Sequence, residues 1–108
     1  MALLDALLDA SAFHSDAHLV TADQMLRSGP LQQLIKAHPE QTLHKIKAYD
    51  VSTDVGRGYV RVGVAKYNPD TAGPPQFLPA MTRTTGVYEK NAATGIWETI
   101  TIYPDVSK

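Results

Sequence analysis

The chain has 108 residues, 44% of them hydrophobic and 19% charged, which fits a single folded domain over residues 1–108 rather than a disordered segment. Ten basic against eleven acidic side chains leave a net charge of −1, so the surface as a whole is unsuited to a nucleic-acid or membrane partner, although a local patch is still compatible with one. The absence of cysteine excludes disulfides, zinc–thiolate sites and thiol nucleophiles.

The first segment, residues 2–13, has the pattern of an amphipathic helix. Leu3, Leu4, Leu7 and Leu8 recur at helical spacing between alanines, which are good helix formers. The segment lacks the basic start of a signal peptide, and no apolar stretch approaches the about 20 residues of a membrane span. We therefore expect no membrane partner and a location in the cytoplasm, or in a particle assembled there.

Two further short helices are predicted in the same part of the chain. Thr21 and Gln24 have the spacing of a capping box, which indicates that a helix begins there. Gly29 is expected to end this helix with a left-handed cap, and the proline after it blocks continuation. A second helix over residues 31–37 ends before a His-Pro pair, because the residue before a proline avoids the helical conformation. Residues 1–38 are thus the predicted helical part.

The remainder, residues 39–108, shows the alternation that is typical of strands. Strands are predicted, in chain order, over residues 43–51, 59–67, 81–89 and 96–103. Short loops join the first strand to the second and the third to the fourth, and a proline-rich loop over residues 68–79 joins the two hairpins. The predicted fold is α+β, with the N-terminal helices packed on one face of a four-stranded antiparallel β-meander.

The expected hairpins divide the side chains of the sheet between two unlike faces. In the predicted register, Tyr49 lies opposite Tyr59 and Tyr88 lies opposite Trp97. One face is aliphatic and suits a cover of helices; its members include Ile46, Ala48, Val87, Ile96, Ile100 and Ile102. The other face, which we call the predicted interaction face, gathers aromatic and basic residues: Lys45, Lys47, Tyr49, Tyr59, Arg61, Tyr88, Trp97 and Tyr103.

Three uses of the predicted interaction face are open from the sequence. It is a solvent-exposed face with stabilising aromatic pairs, a protein contact, or a stacking platform for nucleic acid or carbohydrate. Tyrosine and tryptophan combine a large apolar area with a polar tip, as protein contacts require. Phe77 and Leu78, apolar residues of the proline-rich loop, are predicted as a second contact that anchors the loop either on the domain itself or on a partner.

Few residues suggest chemistry. His14 and His18 have the i, i+4 spacing of metal ligands on a helix, but the glutamate of an HExxH motif is absent, and surface histidines explain the pattern more simply. We find no pair of carboxylates suited to acid–base catalysis and no glycine-rich phosphate loop that opens a helix. We therefore expect no catalytic residue, no metal and no cofactor.

These patterns favour a non-enzymatic protein-interaction or assembly module, either self-associating or part of a larger particle such as a phage virion. One alternative is a small ligand-binding protein or enzyme with a pocket between the helices and the sheet, using His14 and His18. Another is nucleic-acid or carbohydrate binding through the predicted interaction face, although the near-neutral charge disfavours nucleic acid.

Overall fold

The computed structural model describes residues 7–61 and 76–106, and within them the chain is α+β. The elements in chain order are β1 (Leu7–Phe13), α1 (Asp16–Ser28), α2 (Pro30–Ala37), β2 (Leu43–Asp50), β3 (Gly56–Arg61), β4 (Gln76–Met81), β5 (Arg83–Lys90) and β6 (Trp97–Asp105). The strands form two antiparallel three-stranded sheets, with the orders β1-β3-β4 and β2-β5-β6. No helix in these ranges is long and apolar enough to cross a membrane.

The N-terminal segment contains a strand where the sequence predicts a helix. Strand β1 pairs antiparallel with β3, with Ala12 opposite Arg57 and Phe13 opposite Gly56. Helix propensity is a weak preference that tertiary pairing overrides, and the prediction of a helix over residues 2–13 is wrong for Leu7–Phe13. The first six residues lie outside the described part of the chain.

Helix α1 begins earlier than predicted. Ser15 is its N-cap, and the Ser15 hydroxyl oxygen accepts a hydrogen bond from the backbone N–H of His18. The capping box predicted at Thr21 therefore lies inside the helix rather than at its start. Gly29 does end α1, but with φ of −110° it is not left-handed, and α2 follows at once. Helix α2 ends before His38, as predicted from the proline that follows.

The connection between β2 and β3, residues 51–55, crosses from one sheet to the other. The N–H of Val51 donates to the carbonyl of Thr82 at 2.8 Å, and the N–H of Val55 donates to the carbonyl of Met81 at 2.9 Å. Both valines are buried, so apolar burial stabilises this crossing. The predicted β2–β3 hairpin and the single four-stranded meander built on it are wrong, whereas the α+β class with antiparallel sheet is confirmed.

The second predicted hairpin, β5 to β6, is present with a different register. Tyr88 lies opposite Thr99, and Trp97 lies opposite Lys90, with an irregularity between Val87 and Tyr88. A β-bulge of this kind places two residues of one strand against one residue of the other. Tyr88 and Trp97 are therefore not the directly opposed pair that the sequence predicts.

The helices cover one face of the β2-β5-β6 sheet, and the main core lies between the helices and this sheet. Its buried members are Ala22, Leu26, Leu31, Ile46, Val51, Val55 and Tyr88. On β2 the predicted orientation is right, because Ile46 and Ala48 are buried while Lys45 and Lys47 are exposed. On β5 and the first part of β6 it is reversed: Tyr88 is fully buried under the helices, whereas Ile100 is 55% exposed on the opposite face. Beyond the irregularity in the β5–β6 pairing, Ile102 packs against the core, as predicted.

Candidate functional site

The β1-β3-β4 sheet carries an open groove with a volume of about 330 Å³. Its lining comes from β1, β3 and β4 and consists of Ser11, Ala12, Arg57, Gly58, Tyr59 and Phe77. Part of this lining consists of small residues: Ser11 and Gly58 lie opposite each other in the β1–β3 pairing. The groove is therefore a shallow depression bounded by larger side chains, which suits contact with an extended molecule.

Two aromatic rings form one wall of the groove. Tyr59 of β3 and Phe77 of β4 are directly opposed in the sheet, so their side chains share a face. Their ring centroids are 5.2 Å apart at an angle of 46°, and each residue is 49% exposed. The pairing stabilises the two strands locally, yet about half of each residue's surface stays available to another molecule.

Arg57 supplies positive charge to the same groove. It lies two residues before Tyr59, so alternation along β3 places both side chains on one face. Its guanidinium nitrogen is 3.5 Å from Nδ1 of His14, and Nε2 of His14 is 2.8 Å from a carboxylate oxygen of Asp54. These contacts fit the tautomer in which Nε2 carries the proton and donates to Asp54, while Nδ1 accepts from Arg57.

Asp54 links His14, at this end of the groove, to Met81 at the end of β4. The same carboxylate oxygen that contacts His14 accepts a hydrogen bond of 3.2 Å from the backbone N–H of Met81. The hydrogen bond from His14 is the main reason that the pKa of the Asp54 carboxyl lies below its usual value. The His14 N–H donates to the carbonyl of Val55 at 3.0 Å, which fixes the histidine backbone as well. Both the ring and the backbone of His14 are therefore held by hydrogen bonds, and the ring lies next to Arg57.

His14 and His18 do not converge on a common ligand position. Their rings meet edge to face with centroids 5.3 Å apart, and Nδ1 of His18 lies 2.6 Å from the Ser15 hydroxyl. Within residues 7–61 and 76–106, no group of three or more acidic or histidine side chains has an arrangement that would hold a metal ion. The serine–histidine contact is local to the start of α1, where Ser15 already acts as the N-cap.

A second polar cluster ties α1 to the β2-β5-β6 sheet. The Asp23 carboxylate accepts hydrogen bonds of 2.8 Å from the Tyr88 hydroxyl, the Thr99 hydroxyl and Nε of Arg27. Arg27 also donates to the carbonyl of Trp97 at 2.7 Å and to the Thr99 hydroxyl at 2.6 Å. Burial, followed by the hydrogen bond to Asp23, raises the pKa of Tyr88 well above its usual value.

This cluster has residue types that are common in active sites, but its geometry is that of a structural link. Every polar group named in it is engaged by another, and Arg27 also lies 5.1 Å from the centroid of the Tyr88 ring. None of its residues lines the groove on the other sheet. The raised pKa of Tyr88 is thus explained by the docking of α1 on the sheet, without a catalytic role for the tyrosine.

The structure disperses the predicted interaction face. Tyr88 is buried. The half-buried Tyr49, Trp97 and Tyr103 lie in β2 and β6, the edge strands of the sheet that the helices cover. Trp97 stacks on the buried His44 with ring centroids 5.1 Å apart. The prediction of one contiguous exposed aromatic face is therefore wrong.

The remaining members of the predicted contacts fall in three places. Lys45 and Lys47 are exposed on β2, whereas Tyr59 is exposed on the other sheet. Arg61 ends β3, and its side chain lies outside the described structure. Phe77 is exposed and Leu78 half-buried, and both lie in strand β4 rather than in a loop. Residues 68–75 of the predicted proline-rich loop lie outside the described part of the chain.

Sequence reasoning missed the contributions of β1 and of Arg57 to the groove. The alternation of Arg57 and Tyr59 on either side of Gly58 was a usable signal, because it places a cation and an aromatic ring on one face of a strand. The partnership with β1 had no such signal, since that segment has a helical pattern. Comparisons with protein-family models, curated proteins and solved structures find no match to this chain.

Proposed function

We propose that this chain is a non-enzymatic protein-interaction module, a small accessory or structural subunit of a larger assembly such as a phage virion, acting in the cytoplasm or in a particle assembled there. Its contact site is the groove on the β1-β3-β4 sheet. The observation that carries the proposal is the pair formed by Tyr59 and Phe77, which are each 49% exposed beside the groove.

The chemistry of the groove favours a protein ligand. Aromatic side chains give protein contacts much of their binding energy, because they bury a large area and lose few rotamers. Arg57 adds a donor with several N–H groups at the same site, which suits a carboxylate or backbone carbonyl of a partner. A shallow groove over three strands fits an extended segment better than a compact metabolite.

The alternative functions have weaker support. Nucleic acid would stack on the same rings, but Lys45 and Lys47 lie on the other sheet and leave Arg57 as the cation among the groove's lining residues. An enzyme that uses His14 and His18 is disfavoured because both rings are engaged by neighbouring side chains, Asp54 and Ser15. A protein ligand uses the exposed groove as it stands.

A random peptide library displayed on phage tests the proposal. We expect the wild-type protein to select peptides with a common motif, and Tyr59→Ser or Phe77→Ser to weaken binding of these peptides by about 30-fold, which corresponds to about 2 kcal/mol. Ile96→Ser is the matched control, because Ile96 is 62% exposed but lies outside the groove. Thermal melting of each variant verifies that the fold is retained.

Two outcomes would contradict the proposal. One is peptide binding that Tyr59→Ser and Phe77→Ser leave unchanged. The other is a failure to select any motif while single-stranded oligonucleotides bind in a Tyr59-dependent way, which would favour the nucleic-acid alternative.

A further inference from the structure

Arg57 brings to the groove a positive charge that no carboxylate of the described residues neutralises. Its side chain is exposed, and within residues 7–61 and 76–106 it forms no salt bridge. Its contact with His14 is to Nδ1, at 3.5 Å. The carboxylate of Asp54 is engaged instead by Nε2 of His14 at 2.8 Å and by the N–H of Met81 at 3.2 Å. The guanidinium of Arg57 therefore has N–H donors to offer to an anionic group of a ligand.

This charge and the aromatic wall occupy successive positions on one face of the sheet. Arg57 and Tyr59 are two residues apart on β3, which corresponds to roughly 7 Å along the strand. Phe77 lies opposite Tyr59, whereas the residue of β1 opposite Arg57 is the small, exposed Ala12. The groove thus presents a cationic position and an aromatic position at the spacing of alternate side chains in an extended chain.

We propose that the groove binds an extended segment of a partner protein in which a carboxylate side chain stands two residues from a large apolar side chain. This inference rests on the function proposed above and specifies the ligand of the same site. The Asp or Glu of the segment accepts hydrogen bonds from the guanidinium of Arg57, whose planar fork matches a carboxylate. The apolar side chain packs on the rings of Tyr59 and Phe77.

The number of charges favours a carboxylate over a phosphate. Arg57 is the one arginine among the described residues that line the groove. A phosphorylated side chain carries about −1.5 to −2 charges and is usually bound by a cluster of arginines. One guanidinium therefore matches the single charge of one carboxylate.

The edges of the sheet favour binding across its face over the addition of a further strand. Leu78 and Met81 of the edge strand β4 pair with residues of β3 that are only two apart, so Pro79 and Ala80 form a bulge. A bulge and a proline both hinder pairing at an edge. The other edge strand, β1, contacts β6 of the second sheet. The segment is therefore recognised by its side chains, which makes their spacing decisive.

Peptide selection on charge-altered variants tests this inference. A random peptide library displayed on phage is selected separately on wild type, Arg57→Glu and Lys45→Glu. Wild type should select Asp or Glu two residues from a large apolar residue. Arg57→Glu should select Lys or Arg at the acidic position and keep the apolar residue. Lys45→Glu is the matched control, because it reverses the charge of an exposed residue on the other sheet and should select the wild-type motif.

Synthetic versions of a selected peptide measure the two features separately. Replacement of the acidic residue by its amide should weaken binding to wild type about tenfold, because a hydrogen bond to a charged group is lost. The same replacement should have little effect on binding to Arg57→Gln, which lacks the charge. Insertion of one residue between the acidic and apolar positions should also weaken binding about tenfold, since one of the two side chains then points away from the sheet.

The outcomes separate this inference from the function on which it rests. An acidic motif on wild type that becomes basic on Arg57→Glu supports it; if that variant does not fold, loss of the acid preference in Arg57→Gln serves instead. A motif that depends on Tyr59 and Phe77 but has no acidic position, or an acid preference that Arg57→Gln retains, would overturn the inference and leave the proposed function intact. Selection of no motif at all would overturn both.

Discussion

The hydroxyl of Tyr88 in β5 donates a 2.8 Å hydrogen bond to the carboxylate of Asp23 in α1. Tyr88 is completely buried, and Thr99 of β6 shares the same carboxylate oxygen. One acidic side chain therefore joins the helix to two neighbouring strands. This link requires Tyr88 and Thr99 to face the helices, whereas Ile100, the neighbour of Thr99, is 55% exposed.

Removal of the Asp23 carboxylate should be costly. Asp23→Ala leaves the Tyr88 hydroxyl without its acceptor and Arg27 without its salt-bridge partner. Loss of an acceptor shared by partly buried donors should lower the free energy of unfolding by about 2–3 kcal/mol in urea denaturation. Asp16→Ala, an exposed aspartate of the same helix, is the control and should cost about 0.5 kcal/mol through the helix dipole. Equal costs would show that the cluster does not dock the helix.

Tyr88 should make the protein sensitive to alkaline pH. Its pKa is raised in the folded state by burial and by the bond to Asp23, whereas the unfolded tyrosine has a pKa of about 10. Below that pH both states keep the proton, and the stabilising contribution is complete. As pH rises above about 10, the unfolded state loses its proton first, so this contribution falls by up to about 1.4 kcal/mol per pH unit.

Tyr88→Phe separates this effect from general alkaline unfolding. At neutral pH the variant lacks a hydrogen bond to a charged group and should be less stable than wild type by about 1.5–3 kcal/mol. The difference should shrink above about pH 10, because only the wild type loses the Tyr88 contribution. A difference in the free energy of unfolding that stays constant from neutral to alkaline pH would contradict the assignment.

The sequence predicted the local elements better than their partners. Helix α2, strand β2 and the β5–β6 hairpin follow from periodicity and from their turn residues. Pairing across the chain depends on contacts that a local pattern does not contain: Val51 and Val55 are buried at the crossing between sheets, and this burial prevents the predicted hairpin. Loss of that hairpin separates Tyr49 from Tyr59, and the burial of Tyr88 removes a further member of the predicted interaction face.

The orientation of β6 shows a similar limit. Ile100 and Thr99 are both β-branched residues that suit a strand, and either is compatible with a buried position. The choice is made by Asp23 and Arg27 of α1, which engage the Thr99 hydroxyl and so keep that residue on the helix side. Of the candidate site, Tyr59 and Phe77 were identified from sequence, but their direct opposition was not.

Gly56 should resist replacement because of the space around it. A Cβ atom at this position would lie 2.7 Å from the carbonyl oxygen of Ala12 and 2.9 Å from Cβ of Pro104. The backbone oxygen belongs to the paired strand β1, so Gly56→Ala should force β1 and β3 apart and cost about 2–3 kcal/mol in free energy of unfolding. Gly95→Ala is the comparison, since Gly95 has φ of +75° with open space around it and should cost about 1 kcal/mol. A smaller effect at Gly56 than at Gly95 would contradict the close approach of β1.

The orientation of the β2-β5-β6 sheet is tested by truncating one isoleucine on each face. Ile46 is 6% exposed and packs in the core, so Ile46→Ala should lower the free energy of unfolding by about 2–4 kcal/mol through lost burial and an added cavity. Ile100→Ala removes the same atoms from a residue that is 55% exposed and should cost less than about 1 kcal/mol in dilute solution. The two substitutions are chemically identical and both lie in strands, so side-chain type contributes equally to each. Urea denaturation measures the free energy of unfolding of both variants. A cost at Ile100 that equals the cost at Ile46 would show that Ile100 is buried in the core and that the orientation of this part of β6 is wrong.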